Sequence, residues 1–141
     1  MSTAKLILLV EDNVDDEELT LRALKKSPVP NHVMVARDGA EAVSFLFDKE
    51  VQPEVVLLDL NLPKLDGLEV LRRIRSHEST KHLPVVVLTS SKEDKDIARS
   101  YQLGANSYVR KPVDFKQFID TVNTLSLYWL SMNHGPQSEL R

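Results

Sequence analysis

The stretch Val55–Gly67, VVLLDLNLPKLDG, most tightly constrains what this chain can fold into. Its apolar residues run without alternation into Asp59, and Asn61, Pro63 and Asp66-Gly67 follow. A strand with one wet face alternates apolar and polar side chains. An unbroken apolar run closed by turn residues therefore reads as a strand buried on both faces. Such strands belong to helix-covered parallel sheets, where ligands collect at the carboxyl ends of the strands. Asp59 stands at that end. Either it is a strand-end residue that starts an Asx turn, or it is the reactive centre of a site.

The rest of the chain repeats this plan. Leu6–Val10 and Val85–Leu88 are further unbroken apolar runs, ending at Glu11-Asp12 and at Thr89. Val33–Ala36 and Ser107–Val109 read as shorter strands, the second ending at Arg110-Lys111-Pro112. Helices are expected between them. Asn13–Lys26 carries Asp15, Asp16, Glu17 and Glu18 in its first turn and Lys25 and Lys26 in its last, matching the helix dipole at both ends. Asp38 can cap a helix over Gly39–Phe47, and Leu68, Leu71 and Ile74 have helical spacing after Gly67. Ser90 and Glu93 have capping-box spacing for a helix over about Glu93–Gln102. Asp114 caps a last helix carrying Phe115, Phe118, Ile119, Val122 and Leu125 and running through Trp129. Five strands alternating with five helices predict an α/β fold with a doubly wound, five-stranded parallel sheet. Residues 1–132 are expected to form one domain, with 133–141 a polar tail.

Composition removes several function classes. A net charge of −3 and short basic clusters without interleaved aromatics give no footprint for nucleic acid. The absence of cysteine excludes disulfides, thiolate metal sites and thiol nucleophiles. Leu6–Val10 is too short for a signal peptide or a membrane span, so a cytoplasmic protein without a membrane role is expected. His32, His77, His82 and His134 show no metal-ligand spacing.

In a parallel sheet the strand ends share one edge, so Glu11, Asp12, Asp59, Thr89 and Lys111 converge there. Carboxylates at close range force one of them to keep its proton unless a cation intervenes. All-oxygen ligation suits Mg2+. A metal, an ammonium and a hydroxyl around one carboxylate suit a phosphoryl group, with Asp59 as the nucleophile. Taken singly, each residue has an ordinary alternative. Glu11 and Asp12 can cap the first helix, Thr89 can be a β-branched strand residue, and Lys111 an exposed lysine. Their joint placement at the ends of separate strands favours a site.

The motifs LLVEDN, LLDLNLPKLDG, VVVLTSS and NSYVRKP recur in order over about Leu6 to Leu130. On them the chain resembles the receiver domain of two-component response regulators, the flavodoxin-like, CheY-like fold with strand order 2-1-3-4-5. The resemblance implies that Asp59 accepts a phosphoryl group from a histidine of a sensor kinase. It implies Mg2+ held by Asp12, Asp59 and the backbone carbonyl of Asn61, with Glu11 acting largely through water. Pro63 and Gly67 would shape the loop, and Lys111 would contact the phosphoryl group. The Lys111–Pro112 bond would be cis. Thr89 would move toward the phosphate and Tyr108 would turn inward behind it. The acidic pair is Glu-Asp where many members carry Asp-Asp.

LTSSKEDKDIARSYQLGANSYVRKPVDFKQF followed by YWL is similar to single-domain regulators paired with bacterial and cyanobacterial phytochromes. That implies a light-sensing histidine kinase as partner, with output to a downstream phosphotransfer or effector protein. It also suggests a homodimer surface at Tyr128 and Trp129; the alternative is that Trp129 folds back to close the domain. A haloacid-dehalogenase-type phosphohydrolase is the rival from another class. Asn61 stands where such an enzyme places a second Asp as general acid, and an amide cannot donate that proton. A pseudo-receiver scaffold is countered by the intact Asp59, Thr89 and Lys111. The expectation is a signalling protein that assists only its own phosphorylation and dephosphorylation.

Overall fold

Residues 4–136 are described in the computed structural model of the protein. The elements run β1 (Lys5–Val10), α1 (Val14–Lys25), β2 (Asn31–Ala36), α2 (Gly39–Val43), β3 (Val55–Leu58), α3 (Gly67–Ser76), β4 (Val85–Thr89), α4 (Asp94–Gln102), β5 (Ser107–Arg110) and α5 (Phe115–Leu127). The strands form one parallel sheet in the order β2-β1-β3-β4-β5. The three unbroken apolar runs are its inner strands. This is the expected fold.

Strand pleating divides the apolar side chains between two layers. Ile7, Leu9, Leu57, Val86 and Leu88 face α1 and α5, where they pack with Ala23, Leu24, Phe118, Val122 and Leu130. Their neighbours Leu8, Val10, Val56, Leu58 and Val85 point the other way, onto Ala42, Leu46, Val70, Leu71 and Ile74. Burial on both faces is what a strand without polar alternation requires. Asn13, Asp38, Asp66 and Asp114 cap α1, α2, α3 and α5, each accepting a hydrogen bond from the backbone N–H three residues on.

Several local expectations are corrected. The Ser90–Glu93 capping box does not form. Glu93 itself is the N-cap of α4, without a side-chain cap bond, while the Ser91 hydroxyl donates to the Asp96 carboxylate at 2.6 Å. The helix begins three residues later than that box requires, so Ser90 is not its N-cap. The second helix loses α geometry after Val43 and continues as a π-helical turn over Ser44–Asp48, and α5 likewise passes into a π-helical turn over Tyr128–Met132. Phe115 is exposed. The Lys111–Pro112 bond is trans, not cis. Trans is the lower-energy form even before proline, and with it Lys111 reaches Glu11, Asp16 and Asp59. Asn133–Pro136 form no regular element, and 137–141 of the expected tail lie outside the described residues.

One side chain ties together the loops at the other end of the sheet. The half-buried Arg75 donates to the carbonyls of Leu83 at 2.7 Å and Gly104 at 2.9 Å, and to Asn106 Oδ1 at 2.8 Å. Asn106 Oδ1 also accepts from the Val85 N–H at 2.8 Å, at the start of β4. Gly104 ends α4 at φ +101°, a conformation costly to residues with a Cβ. Arg75→Ala leaves these acceptors unmet and is predicted to lower the unfolding free energy by on the order of 3 kcal/mol, read from urea denaturation. Arg72→Ala, which removes an exposed pair with Glu69, should leave the urea midpoint nearly unchanged.

Candidate functional site

The strand ladders continue one residue past the strand ends. Glu11 N–H donates to the Ala36 carbonyl at 2.9 Å, Asp59 N–H to the Val10 carbonyl at 3.0 Å, and Lys111 N–H to the Thr89 carbonyl at 2.8 Å. These bonds hold Glu11, Asp59, Thr89 and Lys111 side by side, although they come from four parts of the sequence. Gly67 lets the start of α3 close over the same point. A Cβ there would fall within contact of the Asp59 carbonyl and 2.7 Å from Leu60 Cα.

The ammonium of Lys111 is the centre of the site. Nζ donates to Glu11 Oε1 at 2.7 Å, Asp16 Oδ2 at 2.8 Å and Asp59 Oδ2 at 2.9 Å, and the Lys111 side chain is only 7% exposed. Asp59 Oδ1 accepts the Asn61 N–H at 3.2 Å, so the two oxygens of Asp59 have different partners. Glu11 Oε2 accepts the Asn13 N–H at 3.2 Å. Asp16 had been assigned only to the helix dipole. It lies one turn into α1, with its N–H on the Asn13 cap, and its carboxylate reaches back over the sheet edge. The signal that could have found it is the excess of acid over base at the strand ends, together with an acidic side chain one turn beyond the cap.

Electrostatics divides the carboxylates. Burial pushes Glu11 up, and the Asp59 charge adds to this against the pull of Lys111, leaving Glu11 at about 7. Burial also pushes Asp59 up. The Lys111 charge and hydrogen bond, with the Thr89 hydroxyl, outweigh it and hold Asp59 below the usual carboxylate range. Burial opposes the charge on Lys111, but hydrogen bonds to Asp16 and Glu11 and the charges of Asp59 and Glu11 raise its pKa, so it stays an ammonium. Of this pair, Asp59 is the ionised member.

Glu11, Asp12 and Asp59 each offer an oxygen, and these oxygens lie within 4.8 Å of one another. Glu11 and Asp59 are buried while Asp12 is exposed. Hard oxygen donors around an open side fit a divalent cation that keeps part of its water shell. Thr89 is fully buried at the end of β4. Tyr108 is half-buried and its hydroxyl donates to the Ser91 carbonyl at 2.9 Å, across the loop that leaves Thr89. Trp129 packs against the α1–α5 core and stacks edge-on with Tyr128 at 5.0 Å, whereas Leu127, Tyr128 and Met132 are exposed.

Comparison with known proteins agrees with this geometry. The response regulator receiver domain family matches residues 7–123. Response regulator Rcp1 of Synechocystis sp. is 40% identical over 131 residues, covering 89% of each chain. The probable methanogenesis regulatory protein FilR2 of Methanothrix harundinacea is 42% identical over 135 residues, covering 93% of this chain and 87% of its own. Among solved structures, the phosphorylated cyanobacterial phytochrome response regulator RcpA superposes with a TM-score of 0.90 at 41% identity, covering 96% of this chain and all of its own. The Mn2+-bound form of Rcp1 superposes at 0.88 and 38%, covering 94% and 99%.

The raised pKa of Glu11 gives a pH prediction for the metal-free protein. Between its ordinary value of 4.5 and about 7, folded Glu11 keeps a proton that the unfolded chain has lost. Stability from this group is therefore full below that interval and is lost as pH rises through it. The other shifted carboxylates, Asp38, Asp59, Glu69 and Glu78, move down and act at lower pH. Thermal melts in chelator should fall by several degrees across the interval, and Glu11→Gln should flatten the slope. A wild-type melting temperature that rises over the same interval would contradict the assignment.

Proposed function

The chain belongs to the response regulator receiver family of two-component signalling, and we propose that Asp59 is its phosphoacceptor. The observation that carries this is the single ammonium of Lys111, held on Asp59 among carboxylates from separate elements. In the transfer, an Asp59 carboxylate oxygen attacks the phosphorus, the N–P bond of a kinase phosphohistidine breaks, and the imidazole nitrogen keeps the electron pair. Lys111 donates to a phosphoryl oxygen and Thr89 offers its hydroxyl. Asp12, Asp59 and the Asn61 carbonyl would hold Mg2+, with Glu11 reaching it through water. When bound, Mg2+ neutralises the phosphoryl oxygens.

A hydrolase of the rival class would place a general acid two residues after its nucleophile. Here that residue is Asn61, whose side-chain amide cannot donate a proton to a leaving group; it is the Asn61 backbone N–H that donates to Asp59 Oδ1. The protein is then a switch rather than a turnover enzyme. Thr89 shifts toward the phosphoryl group, and Tyr108 turns inward as the loop beneath its hydroxyl moves. We assign it to the cytoplasm, as a domain over 1–132, with no nucleic-acid or membrane partner; no helix among the described residues is long and apolar enough to cross a membrane.

The donor proposed is a phytochrome-type histidine kinase, supported by the similarity to RcpA, and a downstream phosphotransfer or effector protein takes the output. A homodimer through the exposed Leu127, Tyr128 and Met132 is supported by this apolar strip at the end of α5. Tyr128→Ala is the variant to test by analytical ultracentrifugation, because Trp129 also serves the core. Loss of a wild-type dimer supports the strip, and a monomeric wild type rejects it.

Acetyl phosphate with Mg2+ should label the wild type with at most one phosphate per chain. Asp59→Asn should take up none; unchanged incorporation in that variant would falsify the acceptor. Transfer from a panel of histidine kinases should be fastest from a phytochrome kinase. Preference for a kinase without a light-sensing domain would reassign the partner.

A further inference from the structure

Lys111 has three N–H donors, and all three are spent on Glu11, Asp16 and Asp59. A phosphoryl group on Asp59 requires one of them to be given up. Phosphorylation itself selects which. Once Asp59 is phosphorylated its carboxylate becomes an acyl phosphate and the negative charge lies on the phosphoryl oxygens, so the bond that went to Asp59 Oδ2 passes to one of these. Glu11 belongs to the group of carboxylates that also offers oxygens to a divalent cation. Asp16 is outside that group.

Asp16 is held on its backbone side by two bonds. Its N–H donates to the Asn13 cap at 2.9 Å, and its carbonyl accepts the hydroxyl of the fully buried Thr20 at 2.7 Å. Neither bond uses the Asp16 side chain. Its side chain is 27% exposed, against 2% for Glu11 and 7% for Asp59, so of the three it is the one nearest solvent. A fixed carboxylate with no other duty is what a mobile lysine needs to be held in place.

We propose that Asp16 is the positioning residue for Lys111, keeping its ammonium beside Asp59 before, during and after phosphoryl transfer. Asp16 touches neither the phosphoryl group nor the cation; it acts through Lys111. Preorganisation of this kind favours the transition state, because the ammonium need not be gathered from solvent as charge develops on the phosphoryl oxygens. The proposal rests on Asp59 as acceptor and deepens it by naming what orients the lysine.

The test is a double-mutant cycle on the rate of labelling by acetyl phosphate at saturating Mg2+. In that reaction an Asp59 oxygen attacks phosphorus, the P–O bond to acetate breaks, and acetate leaves as the anion. Asp16→Asn should slow labelling about tenfold, the scale of one charge-assisted hydrogen bond. In a Lys111→Met background, followed overnight so that slow rates register, the same change should have no further effect. The ammonium protons of Lys111 should exchange faster with solvent in Asp16→Asn, while the amide protons of the first turn of α1 keep their protection, since the Asn13 and Thr20 bonds are intact. An unchanged labelling rate or an equal loss in both backgrounds would each overturn the proposal. Absence of labelling in the wild type would instead overturn the assignment of Asp59, and the two failures are distinct.

Discussion

Three carboxylates share one buried ammonium at the edge of this sheet, and the rest of the site depends on that contact. Burying a charge is costly unless it is paired and hydrogen-bonded. Lys111 meets the condition fully, with every donor used. The acids do not. Glu11, Asp12, Asp16 and Asp59 bring more negative charge than one lysine can offset. In the metal-free protein Glu11 is pushed up to about 7, by burial first and by the Asp59 charge in addition. A cation among these oxygens would relieve the part of that shift that is repulsion. The ammonium holds the site together in the absence of a cation, and the surplus acid makes the site receptive to one.

Such a site needs a scaffold that cannot relax away from the repulsion. The parallel ladders supply it, since Glu11, Asp59 and Lys111 are each tied by backbone bonds to the adjacent strand. The Asn13 cap fixes the start of α1, and with it Asp16. Gly67 allows α3 to press against the Asp59 carbonyl from the other side. Stability comes from the two apolar layers that cover the sheet, and the strand-end residues are held in an arrangement they would not adopt alone. This division is common at functional sites, where local unfavourable contacts are offset by the surrounding fold.

What the sequence makes legible follows the same division. Apolar runs without alternation declare the inner strands, and once these are parallel, Asp59, Thr89, Glu11 and Lys111 must share an edge. Those inferences need only backbone periodicity. Asp16 was hidden because its partner is set by how far a side chain reaches back from the first helical turn, which spacing does not encode. Ser90 and Glu93 have the right spacing for a capping box, yet the helix starts with Glu93 itself as its N-cap. The π-helical turns after Val43 and Leu127 leave an ordinary amphipathic pattern in the sequence. The trans Lys111–Pro112 bond shows the limit of resemblance: the neighbouring lysine reaches its partners without the cis form.

A route from the site to the surface is also visible in hydrogen bonds. Thr89 Oγ1 accepts a long contact of 3.4 Å from the Ser91 N–H, the Ser91 carbonyl accepts the Tyr108 hydroxyl at 2.9 Å, and the Tyr108 N–H donates to the Tyr101 hydroxyl of α4 at 3.1 Å. Tyr108 is paired to Val87 on its backbone, so its side chain can change partners without disturbing the sheet. Each link is worth about 1 kcal/mol. A phosphoryl oxygen that draws the Thr89 hydroxyl acts on the weakest of them first, and the Ser91 carbonyl that holds Tyr108 belongs to the same short loop. The free energy needed to redistribute two such packings is only a few kcal/mol, comparable to the sum of the links. These bonds link the face formed by α4 and β5 to Thr89 at the site without passing through the sheet ladders.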